Sequence, residues 1–260
     1  MLSTIDYFSS LALLIVTAVS AVLFTLIVFI QGRRQYDRIE REGDGKILNR
    51  KILSFGYWWC LFLARIFIRM KWTPSQVTWL SLLLAVVSAF TLANGLFGIT
   101  SIIFIIAFFL DVVDGIIARE TNASSVTGEI LDSSVDRYAD FLFLGGLAVY
   151  YHQSILLLTL MLFAIVGSFM VSYSSAKAEI KQVEPPKGLM KRTERTIVLL
   201  LGCVLSGLSV HLIETPVSEG VYIAYPMVFA VFLVAFLSNI SAVHRLKVIA
   251  EKAELKNIKE

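Results

Sequence analysis

The sequence predicts an all-α integral membrane protein: a six-helix transmembrane bundle preceded by an interfacial amphipathic helix and an extra N-terminal transmembrane helix. Three observations carry that expectation. The 260 residues are 57% hydrophobic and 17% charged, with a mean hydropathy of +0.77, too apolar for a water-soluble globular domain. Uncharged stretches recur that are long enough for the roughly 20 residues a helix needs to cross hydrocarbon. All 23 Lys and Arg fall in alternate connections between these stretches.

The stretch from Tyr7 to Gly32 is the first span. No Lys or Arg precedes it, its apolar part is too long for a signal peptide, and a basic run follows, so it reads as a retained anchor. Residues 1–45 form this anchor and its basic linker, and 46–71 an interfacial segment. Within the latter, FGYWWCLFLARIFIRMK sets aromatics ahead of Arg65, Arg69 and Lys71, which suits a helix lying among anionic headgroups. Residues 72–247 form the membrane domain. Trp72 to Leu110 is long enough for two spans folded about Asn94 to Gly98, where Asn and Gly supply turn chemistry. Phe141 to Ala176 folds likewise about Tyr151-His152-Gln153. Thr196 to Ile213 and Gly220 to His244 complete seven crossings, and residues 248–260 form a charged tail. The loops near Gly95, His152 and Thr215 carry no Lys or Arg, so the opposite side faces the cytoplasm and the N-terminus lies outside.

A net charge of +3 does not suggest nucleic-acid binding. Cys60 and Cys203 lie in apolar surroundings without CxxC spacing, which argues against a disulfide framework or a zinc site. Against this background Asp111, Asp114, Asp132 and Asp136 sit in or beside predicted spans, where ionisable groups are costly and mark function. The first pair is three apart and the second four apart, so each shares a helix face. Two adjacent antiparallel helices would gather four carboxylates about one turn below the cytoplasmic interface. Like charges so close need compensation, which divalent cations with a preference for hard oxygen ligands provide: magnesium, calcium or manganese.

These aspartates stand in Asp111-x2-Asp114-Gly115-x2-Ala118-Arg119-x8-Gly128-x3-Asp132-x3-Asp136. The pattern matches the signature of the CDP-alcohol phosphatidyltransferase family, which the protein resembles from about Lys71 to Arg245. The resemblance implies transfer of a phosphoryl-alcohol group from a CDP-linked donor to a hydroxyl, with release of CMP and two bound Mg²⁺ or Mn²⁺ ions. It implies that Asp111, Asp114 and Asp132 are metal ligands and that Asp136 is the general base and a candidate ligand of the second ion. It also implies nucleotide contacts at Gly115, Arg119 and Ser125, and a homodimer.

Thr73-Pro74-Ser75-Gln76 opens the second span as a capping box with Pro at the first helical position. The family places a similar segment against the donor nucleotide, which makes Thr73, Pro74, Ser75 and Gln76 candidate contacts. Beyond the fifth span a basic loop runs from Lys177 to Arg195. Lys177 lies one turn beyond Tyr173, and Arg192 and Arg195 are three apart, so the three cations could enter one pocket. The pattern is similar to the SYxKARAE and RPER segments of phosphatidylinositol-phosphate synthases, although Ser175 replaces the Lys of the first and Thr193 the Pro of the second. A phosphorylated acceptor such as inositol phosphate or glycerol phosphate, with CDP-diacylglycerol as donor, is the favoured reading. Two alternatives stand beside it: CDP-choline or CDP-ethanolamine as donor to diacylglycerol, and an ion-coupled transporter using the carboxylates as a relay.

Overall fold

The computed structural model describes residues 2–31, 50–184, 186, 188–209, 216–218 and 221–257. The basic linker, Lys187 and the connection at Thr215 lie outside the described residues. Eight helices run through the rest: α1 (Leu2–Gln31), α2 (Arg50–Arg69), α3 (Pro74–Ala93), α4 (Phe97–Glu120), α5 (Val126–Tyr150), α6 (Ile155–Ile180), α7 (Arg192–Ser209) and α8 (Tyr225–Asn257). This is the all-α membrane bundle the sequence predicts. Six helices are long and apolar enough to cross a membrane: α1, α2, α3, α4, α6 and α8. The other two expected spans, α5 and α7, carry too many ionisable residues to meet that standard. The reason is that they contribute the polar groups of the site. The expected interfacial helix, α2, meets it with a mean hydropathy of 1.3 over Ile52–Arg69, against 2.9 for α1.

Local chemistry sets the boundaries. Thr73 accepts from the Gln76 amide while the Gln76 side chain accepts from the Thr73 amide, so the expected capping box starts α3 behind Pro74. The α3–α4 reversal needs Gly95, whose φ of +74° strains most side-chain-bearing residues and where a Cβ would lie 2.7 Å from the Tyr150 ring. Two expected ends move. The helix at Tyr225 starts later than the apolar run because Pro216–Ser218 (β1) and Val221–Tyr222 (β2) pair as a short antiparallel hairpin. That helix then continues to Asn257, well past His244.

The N-terminal helix also begins earlier than Tyr7, because Asp6 is built into the bundle rather than left in water. Its Oδ1 accepts from the Ile99 amide at 2.9 Å, serving the first turn of α4, where Leu96 provides no side-chain cap. Alongside it, a side chain at Gly98 would collide with Asp6 and Ser10, and one at Gly207 with Ser10. Small residues thus let α1 close on α4 and α7 without a hydrophobic driving force, as helices in lipid do.

The buried side chains form two groups. One, of Leu92, Phe104, Phe143, Leu147, Met161, Cys203 and Val231 among others, fills the space among α3 to α8. The other, Cys60, Ala64, Val77, Leu110, Val113, Ile116 and Ile117, packs α2 and α3 behind the second half of α4. That second group fixes the helix that carries Asp111 and Asp114. Cys60 and Cys203 are both buried.

Candidate active site

Acidic residues from two helices meet at one end of the bundle. On α4, Asp111 and Asp114 lie one turn apart; on α5, Asp132, Asp136 and Asp140 form a stripe at four-residue spacing. The link between the helices is short. Asn122 takes a left-handed conformation with φ +53°, which Asn tolerates, and Ser125 then caps α5 by accepting from the Gly128 amide at 3.1 Å. Both helices pack extensively on α3 and only sparsely on each other. The space so left between their backbones is where the carboxylates project.

Asp111, Asp132 and Asp136 each offer an oxygen within 4.8 Å of the other two. Asp114 is not part of this trio; its Oδ2 accepts from the Thr78 hydroxyl of α3 at 2.5 Å. Both residues are buried, Asp114 being only 3% exposed. The charge of the trio is met by a cation from α7. Arg192 Nη1 lies 3.0 Å from Asp111 Oδ2 and 2.5 Å from Asp136 Oδ1, bridging the two helices. One turn on, Arg195 pairs with Asp140. Three converging carboxylates that already attract a guanidinium form an oxygen donor set of the kind hard divalent cations prefer, so the residues present fit such an ion.

Two cavities flank the carboxylates. The larger, about 450 Å³, is lined by Pro74, Ser75, Asp114, Gly115, Arg119, Ser125 and Asp132 together with Thr78 and Gly128. The Arg119 guanidinium folds back over Gly115, at 3.4 Å from where a side chain there would begin. The smaller, about 360 Å³, is lined by Asp136, Asp140, Ser175, Lys191, Arg192, Arg195 and Arg245. A carboxylate group therefore stands between one cavity rich in small residues and hydroxyls and another rich in guanidinium groups.

Most of the expected residues meet here. Thr73 and Gln76 are used on each other in the capping box, while Pro74 and Ser75 face the larger cavity. Lys177 instead lies over the Tyr173 ring, 5.4 Å from its centroid, and does not line the basic cavity with Arg192 and Arg195. Sequence reasoning missed Thr78, Asp140 and Arg245. Asp140 continues the four-residue spacing of Asp132 and Asp136, which was a usable signal. Arg245 falls one residue beyond the last expected span, but α8 runs on past it and its Nη2 donates to Ser175 Oγ at 3.0 Å. Nothing in the local sequence marks Thr78.

Comparison with known proteins gives a consistent picture. The family model described as CDP-alcohol phosphatidyltransferase matches residues 71–243. The bifunctional IPC transferase and DIPP synthase of Archaeoglobus fulgidus is 33% identical over 186 residues, a match covering 66% of this chain and 35% of that protein, so the chain corresponds to about a third of that relative's length. The phosphatidylinositol phosphate synthase of Mycobacteroides abscessus is 30% identical over 189 residues, covering 71% of this chain and 80% of the relative. Among solved structures, the phosphatidylinositol phosphate synthase of Mycobacterium tuberculosis with CDP-DAG bound superposes with a TM-score of 0.62 at 27% identity, covering 73% of this chain and 92% of that one. The same protein in complex with manganese and citrate gives a TM-score of 0.62, with 73% of this chain and 88% of that one covered.

Proposed function

The chain belongs to the CDP-alcohol phosphatidyltransferase family, and from that premise we propose that it is a membrane enzyme that transfers the phosphatidyl group of CDP-diacylglycerol to a phosphorylated alcohol. One observation carries the reading most: the carboxylates stand between a cavity suited to a nucleotide and a cavity lined by guanidinium groups. Inositol phosphate and glycerol phosphate are the acceptors of the right chemistry. The relatives named phosphatidylinositol phosphate synthase favour the first.

Asp111, Asp114, Asp132 and Asp136 are the proposed holders of two divalent ions, Mg²⁺ or Mn²⁺. When bound, such ions neutralise the pyrophosphate and stabilise the charge that leaves on CMP. The remaining work falls to the chain. Arg119 and the absence of a side chain at Gly115 let the nucleotide end of the donor seat against α4, with Ser75 and Ser125 at the cavity wall. Arg192, Arg195 and Arg245 hold the anionic end of the acceptor in the smaller cavity. Asp136 faces that cavity and takes the proton of the acceptor hydroxyl as its oxygen bonds to the phosphorus carrying diacylglycerol. The bond from that phosphorus to the bridging oxygen breaks, and CMP leaves with the electron pair.

Three further features belong to this proposal. The active site faces the cytoplasm and the N-terminus lies outside, because the described cations gather at the carboxylate end. The helix α2 lies in the interface, since Arg65 and Arg69 are costly in hydrocarbon. The protein is a homodimer. The basic cavity also weighs against a CDP-choline or CDP-ethanolamine donor with diacylglycerol as acceptor, which would have no use for three guanidinium groups.

The test is an acceptor panel. Purified protein in lipid nanodiscs, given CDP-diacylglycerol and Mn²⁺, is offered inositol phosphate, glycerol phosphate, serine and inositol, and CMP release is measured. Release with a phosphorylated acceptor is the expected result. Release with neutral or zwitterionic alcohols alone would overturn the acceptor assignment of Arg192 and Arg195.

A further inference from the structure

The Arg195 side chain is only 2% exposed, an unusual place for a guanidinium, and its two amino groups are treated differently. Nη2 donates to Asp140, whereas Nη1 is buried with no hydrogen-bond partner among the described residues. A buried donor left without an acceptor is costly, so such a group is a site prepared for a ligand that brings its own acceptor. Arg195 and Asp140 both line the basic cavity. Asp140 sits one helical turn beyond Asp136, so the pair occupies the layer of the bundle next to the reacting carboxylate.

We propose that Asp140 is a positioning residue for acceptor binding: its carboxylate fixes one arm of the Arg195 fork so that the other is presented to the anionic group of the acceptor. This rests on the acceptor reading given above and adds to it a residue outside the family motif. The physical reason lies in the neighbouring charges. Along α5 the next carboxylate is Asp136, which already attracts Arg192 at 2.5 Å. Without a partner at Asp140, Arg195 would be drawn toward Asp136, away from the acceptor and onto the proposed base. A charge-assisted pair at Asp140 keeps the two arginines on separate carboxylates.

The proposal has an unusual sign. If Asp140 only contributed negative charge to a basic cavity, removing that charge would strengthen anion binding and lower KM. If it positions Arg195, removing it weakens binding and raises KM.

The experiment measures KM and kcat for the reacting phosphorylated acceptor in parent, Asp140→Asn, Arg195→Ala and the double variant. The affinity of each for inorganic phosphate is measured by calorimetry in the same nanodiscs. Asp140→Asn should raise KM about tenfold or more, with a smaller change in kcat, and weaken phosphate binding in parallel. In the Arg195→Ala background the same substitution should change KM less than twofold, because its effect passes through the arginine. Asp140→Glu, which keeps the carboxylate, should recover more than half of the lost phosphate affinity and covers the case in which the amide variant folds poorly. A lower or unchanged KM in Asp140→Asn, or the same fold-change in both backgrounds, would overturn the proposal. An unchanged KM in Arg195→Ala would instead overturn the acceptor reading on which it rests.

Discussion

Replacing Thr78 by Val keeps the size of the side chain and deletes a single donor, the hydroxyl 2.5 Å from Asp114 Oδ2. Both partners are buried, at 4% and 3% exposure, so no water is at hand to replace the lost hydrogen bond. A hydrogen bond to a charged group contributes about 1.5–3 kcal/mol, and its loss frees Asp114 to rotate away from the orientation in which it faces the larger cavity. At about 1.4 kcal/mol per factor of ten, that corresponds to a loss of about 10–100-fold in divalent-ion affinity, the range typical when a partner orienting a ligand is removed. The assay is Mn²⁺ titration of purified protein in nanodiscs by calorimetry, with the Mn²⁺ dependence of CMP release as a second reading. Thr78→Ser, which restores the hydroxyl, should recover most of the affinity. An affinity in Thr78→Val within twofold of the parent would refute the idea that Asp114 is oriented for metal through this contact.

Other expectations follow from named contacts. Asp136→Asn should bind Mn²⁺ and CDP-diacylglycerol yet lose turnover by about 10²-fold or more, as measured by CMP release; equal turnover would remove the assignment of Asp136 as base. Arg119→Ala should raise the KM for CDP-diacylglycerol about tenfold while leaving the acceptor KM within twofold, seen by varying each substrate in turn. Gly146→Ala would place a methyl group 2.5 Å from the Ala89 carbonyl oxygen and 2.9 Å from its Cα, forcing α5 away from α3. A cost of about 1–3 kcal/mol should lower the thermal unfolding midpoint in detergent by about 3–10 °C; an unchanged midpoint would mean that the helices separate without penalty.

What the sequence makes legible is local. The capping box at Thr73 and Gln76 and the turn at Gly95 both involve partners within a few residues, and each is found where the spacing puts it. The spans are legible too, because the exclusion of charge from hydrocarbon acts residue by residue. Contacts that join distant positions are not. Thr78 reaches Asp114 across 36 residues, Arg192 reaches Asp111 across 81, and Asp6 serves the start of α4 across 93. Those pairings depend on how α3, α7 and α1 pack around α4, which no periodicity encodes. Lys177 illustrates the same limit from the other side: its spacing from Tyr173 allows reach into a pocket shared with Arg192 and Arg195, and in the structure it lies on that tyrosine's ring. The hairpin before α8 is hidden in a short connection with weak strand character.

The central claim is that carboxylates of α4 and α5 hold divalent ions against the pyrophosphate of a CDP-linked lipid. The most direct test counts Mn²⁺ bound per chain, with and without CDP-diacylglycerol, in the parent and in an Asp111→Asn, Asp132→Asn variant. Two ions per parent chain, bound more tightly when the donor is present and lost in the variant, is the predicted result. The absence of saturable binding, or equal binding in parent and variant, would contradict it.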